Sequence, residues 1–306
     1  MPRFVVTKLG GAALTLLLAA TIAFALSRAA GDPVHQILGD QATGEQIKAL
    51  RERLGLDAPL VQQYFTYLAD LVRGDFGTSL RYGQENVSLL LGRVGASLLL
   101  ASLAIALGAT VGFALGTLAA LRENSWIDRI AMGVALLGQS VPAFWLGMML
   151  VVIFAINVPI LPAGELTGPA SLVLPVVTLS TLPMAKVARL ARSSMVEILE
   201  EQFVEAARAR GFSGRRVVLS HIVRNSMTPV VTLTGIQVGA LLSGAVTVEY
   251  VFAWPGLGTL AVQAVGFRDF PLVQALVIFG ALAFVVINLV VDIINGAVDP
   301  RLRESV

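Results

Sequence analysis

VGASLLLASLAIALGATVGFALGTLAAL, from Val94 to Leu121, runs without a charge between Arg93 and Arg122. A helix needs about 20 apolar residues to cross a bilayer core of about 30 Å. This stretch passes that test, and so do five others: Leu9–Ser27, Ile130–Gly164, Leu166–Ala185, Asn225–Val248 and Phe270–Val291. The run Ile130–Gly164 is long enough for a span plus an outer loop. The composition of the 306 residues agrees, with 56% hydrophobic and only 14% charged residues; a soluble domain carries about 25% charged. Mean hydropathy is +0.79. The expected fold class is all-α: a polytopic membrane protein with six transmembrane helices.

The same arithmetic excludes several functions. There is no cysteine, so disulfides, thiolate metal sites and cysteine nucleophiles are ruled out. The two histidines, His35 and His221, are far apart in sequence, and no metal site or cofactor is expected. The net charge is +2, with no basic face of the kind a nucleic-acid binder needs. The first apolar run is longer than the usual signal-peptide core of about 7–15 residues, so it reads as an uncleaved anchor. Tyr250–Phe267 also lacks charge, but Trp254-Pro255-Gly256-Leu257-Gly258 breaks it near its start. The remainder is too short to span and reads as a surface or re-entrant segment.

Orientation follows from lysine and arginine in short loops. Arg189, Arg192, Arg208, Arg210, Arg215, Arg216 and Arg224 lie between spans four and five. Arg122 and Arg129 lie between spans two and three, and Arg301 and Arg303 in the tail. Asn157–Leu172 has neither lysine nor arginine, and Ala253–Pro271 has only Arg268. Both termini are therefore expected in the cytoplasm, with a small extracytoplasmic domain between helices 1 and 2. That outer region carries Lys48, Arg51, Arg53, Arg73, Arg81 and Arg93; long loops translocate largely regardless of charge. Within it, Thr43–Leu54 and Leu60–Val72 have helical spacing, and Arg73–Leu80 is a glycine-punctuated turn. The divisions are 1–29 for the tail and first helix, 30–93 for the outer region, 94–298 for the remaining helices, and 299–306 for the tail. An inner loop at about 195–224 lies inside the third.

Small residues recur every four positions in span two, at Ala104, Gly108, Gly112, Gly116 and Ala120, and again at Gly235, Gly239 and Ser243 in span five. Such stripes let helix backbones approach closely. Asn288, Asp292 and Asn295 share one face of span six. A charge at the bilayer centre costs about 2.5–3.5 kcal/mol on insertion scales. Asp292 comes late in its span, which reads as a polar contact at the inner headgroups. Otherwise the spans are nearly free of charge.

The inner loop reads Glu201-Gln202-Phe203-Val204-Glu205-Ala206-Ala207-Arg208-Ala209-Arg210-Gly211-Phe212-Ser213-Gly214-Arg215-Arg216. It predicts a short helix stopped by Gly211, which tolerates the left-handed C-cap conformation. A second helix is expected from near Ser213. Apolar Phe203, Val204, Ala207 and Phe212 beside the arginines suit either docking of a soluble partner or rest on anionic lipid.

Glu205-Ala206-Ala207, three residues, then Gly211 resembles the EAA loop of bacterial ABC importer permeases. The continuation is similar to the dipeptide, oligopeptide and nickel permease branch. It comprises Arg215-Arg216-Val217-Val218-Leu219, His221, Arg224-Asn225, Pro229-Val230-Val231-Thr232, Gly244-Ala245-Val246, Val248-Glu249 and Val251 to Gly258, ending in Asp299-Pro300-Arg301. Upstream, Leu54-Gly55-Leu56-Asp57, Gly74 to Ser79 and Ser140 to Gly147 match as well. The resemblance covers nearly the whole chain. It departs from the general pattern at His221, where that pattern has Ile, and at Thr228, where a Leu precedes the proline; the peptide branch commonly has His at the first.

The resemblance implies a bacterial inner-membrane permease forming half of a pore for peptides or a related small solute. Glu205, Ala206, Ala207 and Gly211 would form a coupling helix that docks a cytoplasmic ATPase. The implied partners are a second permease, ATPase subunits, an extracytoplasmic substrate-binding protein and membrane lipid. The chain itself is expected to be a transporter subunit and no enzyme. A P-loop needs Lys followed by Ser or Thr, whereas Lys8, Lys48 and Lys186 precede Leu9, Ala49 and Val187. ATP chemistry must therefore come from another polypeptide. The competing reading is an autonomous secondary transporter or channel with an interfacial inner helix, which would need ionisable residues at mid-membrane. Dipeptides, longer peptides, glutathione-like compounds, nickel chelates, sugars and opines all stay open as substrates, with a peptide the leading expectation.

Overall fold

The structure is a computed structural model that describes residues 2–29, 34, 43–53, 56–218 and 222–298. Its side-chain description leaves out residues 2–7, 9, 50, 53, 208, 215, 240, 242–243 and 292–298. His35, His221 and Asp299-Pro300-Arg301 lie outside the described residues, as do the side chains of Asp292 and Asn295. The described chain is helical, and its β pairing is one isolated bridge between Thr78 and Glu85. The helices are α1 Pro2–Ala29, α2 Gly44–Arg53, α3 Leu60–Val72, α4 Asn86–Leu121, α5 Trp126–Ser140, α6 Ala143–Val151, α7 Val173–Leu199, α8 Gln202–Ala209, α9 Gly214–Val217, α10 Val223–Val251, α11 Leu257–Gly266 and α12 Phe270–Val298. A π turn, Val152–Asn157, extends α6.

Among the described residues, four helical stretches are long and apolar enough to cross a bilayer: Gly10–Ala29, Asn86–Leu121, Pro169–Leu199 and Phe270–Val291. Two bent pairs raise the number to six when each counts as one span. These helices leave Leu14, Ile22 and Leu26 of α1 and Leu91, Leu98 and Leu118 of α4 exposed. So much outward apolar surface suits lipid or other membrane subunits, not water.

The third apolar run differs from the expected continuous span. It breaks at Pro142, and the two halves meet at 101°. Val141 is extended (φ −83°, ψ 125°), as a residue before proline prefers, and Pro142 itself sits at φ −59°, ψ 130°. The fifth run bends by 65° between Gly239 and Gly244. The segment after the Trp254–Gly258 turn is the short helix α11, as its length predicts.

Two compact units divide the chain: Met1–Gly95 with Thr259–Val286, and Ala96–Gly258 with Ile287–Val306. In the first, α2 starts with a capping box. Thr43 Oγ1 accepts from Gln46 N–H (3.4 Å), and Gln46 Oε1 accepts from Thr43 N–H (3.0 Å). Helix α3 meets α1 through Phe24 edge-on to Tyr64, with centroids 5.3 Å apart. Asp269, 1% exposed, ties residues 79–81 to the start of α12. Its carboxylate accepts from Ser79 Oγ (2.5 Å) and from the N–H groups of Leu80 (3.1 Å), Arg81 (3.1 Å) and Leu272 (3.3 Å). The last of these caps α12. Hydrogen bonds to a charged group contribute about 1.5–3 kcal/mol each, and orphaned buried donors add a penalty. Asp269→Ala is expected to destabilise the protein by about 3 kcal/mol or more. A melting curve in detergent checks this; an unchanged midpoint contradicts it.

In the second unit, α7 packs against α4, α5, α6 and α10. A Cβ placed on Gly108 would lie 2.8 Å from Ser180 O, and one on Gly112 2.5 Å from Met184 O. One on Gly116 would strike Ala188 O. The α4 stripe is thus a backbone-to-backbone seam with α7. In the α10 stripe, a Cβ on Gly235 would lie 3.0 Å from Val291 Cγ1. Phe252 and Trp254, 1% and 0% exposed, centre the core. The Glu249 carboxylate accepts from Ser97 Oγ (2.6 Å) and Gly258 N–H (2.7 Å), while Trp254 Nε1 donates to Ala96 O (3.0 Å). These bonds lock the Trp254–Gly258 turn onto α4.

Candidate functional site

Helix α7 stops at Leu199, and Glu200 and Glu201 turn the chain into α8. Helix α8 is too short to be stable alone, so its inner face must hold it. Val204 is 0% and Ala207 8% exposed, buried with Ala120 of α4, Met195 of α7, Val217 of α9 and Ile222. This seat rests on the ends of α4 and α7. The last turns of α7 are in turn fastened to α5. Arg192 donates from Nε and a terminal nitrogen to the two oxygens of Asp128, both at 2.7 Å, and lies 3.7 Å from Glu123. A bidentate pair of this kind fixes orientation as well as distance.

The C-terminal end of α8 is set by Gly211. Its φ is +82°, and Phe212 N–H reaches back to Ala207 O at 3.3 Å, the six-to-one bond of a Schellman end. A Cβ on Gly211 would meet nothing within 4 Å. The constraint there is conformation, not space.

Of the four residues singled out from the sequence, the structure puts Glu205 and Ala206 on the exposed face and Gly211 in the exposed turn. Ala207 turns inward and serves as a seat. Phe203 and Phe212 flank the outward patch, 41% and 37% exposed, and the Arg216 guanidinium lies 4.9 Å over the Phe212 ring. The patch is therefore an apolar and small-residue surface with one carboxylate, framed by arginine. It has the makings of a contact surface and holds no nucleophile–base pair.

Residues 112–304 match the family described as binding-protein-dependent transport system inner membrane component, and residues 1–85 match its N-terminal counterpart. The chain belongs to this family. It is 38% identical over 304 residues to the glutathione transport system permease protein GsiC of Escherichia coli (strain K12), covering 99% of each chain. It is 40% identical over 304 residues to the protein of the same name in Salmonella choleraesuis (strain SC-B67), again covering 99% of each. Among solved structures, an inward-facing MetNI methionine ABC transporter aligns with a TM-score of 0.56 at 21% identity, covering 70% of this chain and 97% of that one. An amino acid ABC transporter with histidines aligns at 0.55 and 16% identity, covering 68% and 94%. Those two establish likeness of fold alone.

This ABC importer permease is thus a multi-pass inner-membrane transport component and not an enzyme. The family implies, in general, a second permease, an ATPase and a substrate-binding protein. Sequence reading missed three buried ionic anchors, at Asp128, Glu249 and Asp269. The available signal was an acidic residue at the edge of an apolar run, beside a glycine, proline or serine turn.

Proposed function

We propose that this permease forms half of a translocation pore for small peptides, glutathione-like compounds among them, and that α8 is its coupling helix. The observation that carries the reading is the split of α8 into a seated face, Val204 and Ala207, and an offered face, Glu205 and Ala206. A merely lipid-facing helix would turn its apolar residues outward to the membrane. This one turns Val204 and Ala207 inward to hold itself on α4 and α7, and sets the charged Glu205 beside Phe203 and Ala206 on its outward face. Ala206 permits close approach of an ATPase cleft, Glu205 supplies a charge for it, Ala207 fixes the helix and Gly211 sets the turn. Closure of the ATPase subunits would push on α8 and, through its seat, on α4 and α7.

In this reading both termini and α8 lie in the cytoplasm, residues 30–93 face outward, and 94–298 form the core with the coupling loop at about 195–224. A second, different permease completes the pore, and a binding protein delivers solute to the outer face. The peptide substrate class is supported by the full-length similarity to permeases named for glutathione transport.

The test is reconstitution of the complete complex in liposomes with its binding protein and ATP. Uptake of glutathione or of a dipeptide is expected only with ATP and binding protein present. Thiol labelling of Ser213→Cys and Thr43→Cys is expected from opposite sides of the membrane. ATP-independent uptake, or labelling from one side, contradicts the reading.

A further inference from the structure

The apolar run before Lys186 ends at Ala185, yet α7 continues without interruption from Val173 to Leu199. Lys186 is the middle residue of that helix, about 20 Å from either end at about 1.5 Å per residue. Its ammonium donates to Gln237 Oε1 at 3.1 Å, and Gln237 is in turn the middle residue of α10, Val223–Val251. Gln237 is 4% exposed and Lys186 only half-buried. A lysine ammonium has three donors, and the partner holding this one is neutral. Lys186 directly follows the apolar run and lies about 9 Å before Arg192 along α7 at about 1.5 Å per residue, toward the inner end of the span, where a cation must face protein or water.

The open side of α7 carries further charge beyond Lys186. Val187, Ala188 and Ala191, all 0% exposed, form the packed side of α7. Arg189 and Ser193, three and seven positions after Lys186, lie on the open side with it and are exposed. Leu182, 39% exposed, and Leu190 lie four positions before and after Lys186, so this side of α7 mixes leucines with two cations and a hydroxyl. It leads from mid-helix toward α8.

We propose that Lys186 contacts the transported solute, receiving a carboxylate partway along the translocation path, with Gln237 holding the ammonium in position. The inference rests on the pore reading above and narrows its substrate class to solutes with a free carboxylate. Arg189 would take over the anion one turn further along.

The test uses the complete transporter in liposomes, with dialanine, dialanine amide and glutathione as probes. Lys186→Met keeps the length of the side chain without its charge. It is expected to lower uptake of dialanine and glutathione more than tenfold, leave the amide unchanged, and preserve assembly and basal ATPase activity. Lys186→Arg is expected to keep most of the uptake. Equal loss of dialanine and its amide overturns the inference. So does failure of Lys186→Met to assemble with the second permease, which would assign the lysine to a carboxylate of that partner.

A second readout does not depend on the substrate. The chain lacks cysteine, so Lys186→Cys offers a unique thiol in this subunit. Reaction with an anionic water-soluble thiol reagent in the assembled complex supports the path position; a thiol that stays unreactive overturns it. If the wild type takes up none of the three probes, the peptide-importer reading fails, and this labelling alone decides the role of Lys186.

Discussion

Replacing Gly211 by proline is expected to abolish uptake while leaving the chain in the membrane. The Gly211 backbone sits at φ +82°, and proline is locked near −65°. The Schellman end of α8 cannot form with proline there. Phe212 would lose its bond to Ala207 O, and the offered face of α8 would lose its fixed pitch. Membrane insertion is set by the apolar runs, none of which includes residue 211. Uptake is expected to fall more than tenfold at normal membrane abundance. Gly211→Ala, which costs only about 1–2 kcal/mol in the left-handed region, should retain part of it. Transport assays with immunoblots of the membrane fraction check both. Normal uptake by Gly211→Pro at normal abundance contradicts the role of this turn.

Gly112→Leu is expected to be the most damaging change to the fold. Its Cβ would lie 2.5 Å from Met184 O and 3.1 Å from Val187 Cβ. The nearer obstacle is backbone of a packed helix and has no rotamer to swing away. Overpacking a well-filled core costs about 1–3 kcal/mol, and here α4 and α7 must also separate along the whole seam. Folded yield after detergent extraction should drop severely. Gly133→Leu on α5, where a Cβ meets nothing within 4 Å, is the matched control and should extract like the wild type. Similar yields for the two variants contradict the seam. The same seam matters to transport, because α8 is seated on the ends of the two helices it joins.

What was legible in the sequence was whatever depended on neighbours along the chain. Run lengths gave the apolar helices, and the spacing of Glu205, Ala206, Ala207 and Gly211 gave α8 and its stop. The 101° break falls at Pro142, a proline of the kind that marks kinks and boundaries, but the size of the bend is not encoded in a charge-free run that reads as continuous. Lys186 marks the end of the fourth apolar run but not of its helix, which backbone hydrogen bonding carries on to Leu199. Asp269 and Glu249 find their serine partners 190 and 152 residues away, a pairing no local pattern encodes. The opposite facing of Ala206 and Ala207 depends on where Met195 and Val217 come to lie, so it too required the folded chain.

The coupling role of α8 requires that this helix touch an ATPase. Site-directed cross-linking from Ala206→Cys, in membranes holding the complete transporter, asks this directly. The predicted result is an adduct between position 206 and a separate P-loop subunit, altered by nucleotide, with no such adduct from the buried position in Val204→Cys. An actively transporting complex in which position 206 links only to lipid, or to nothing, would contradict the coupling role of α8.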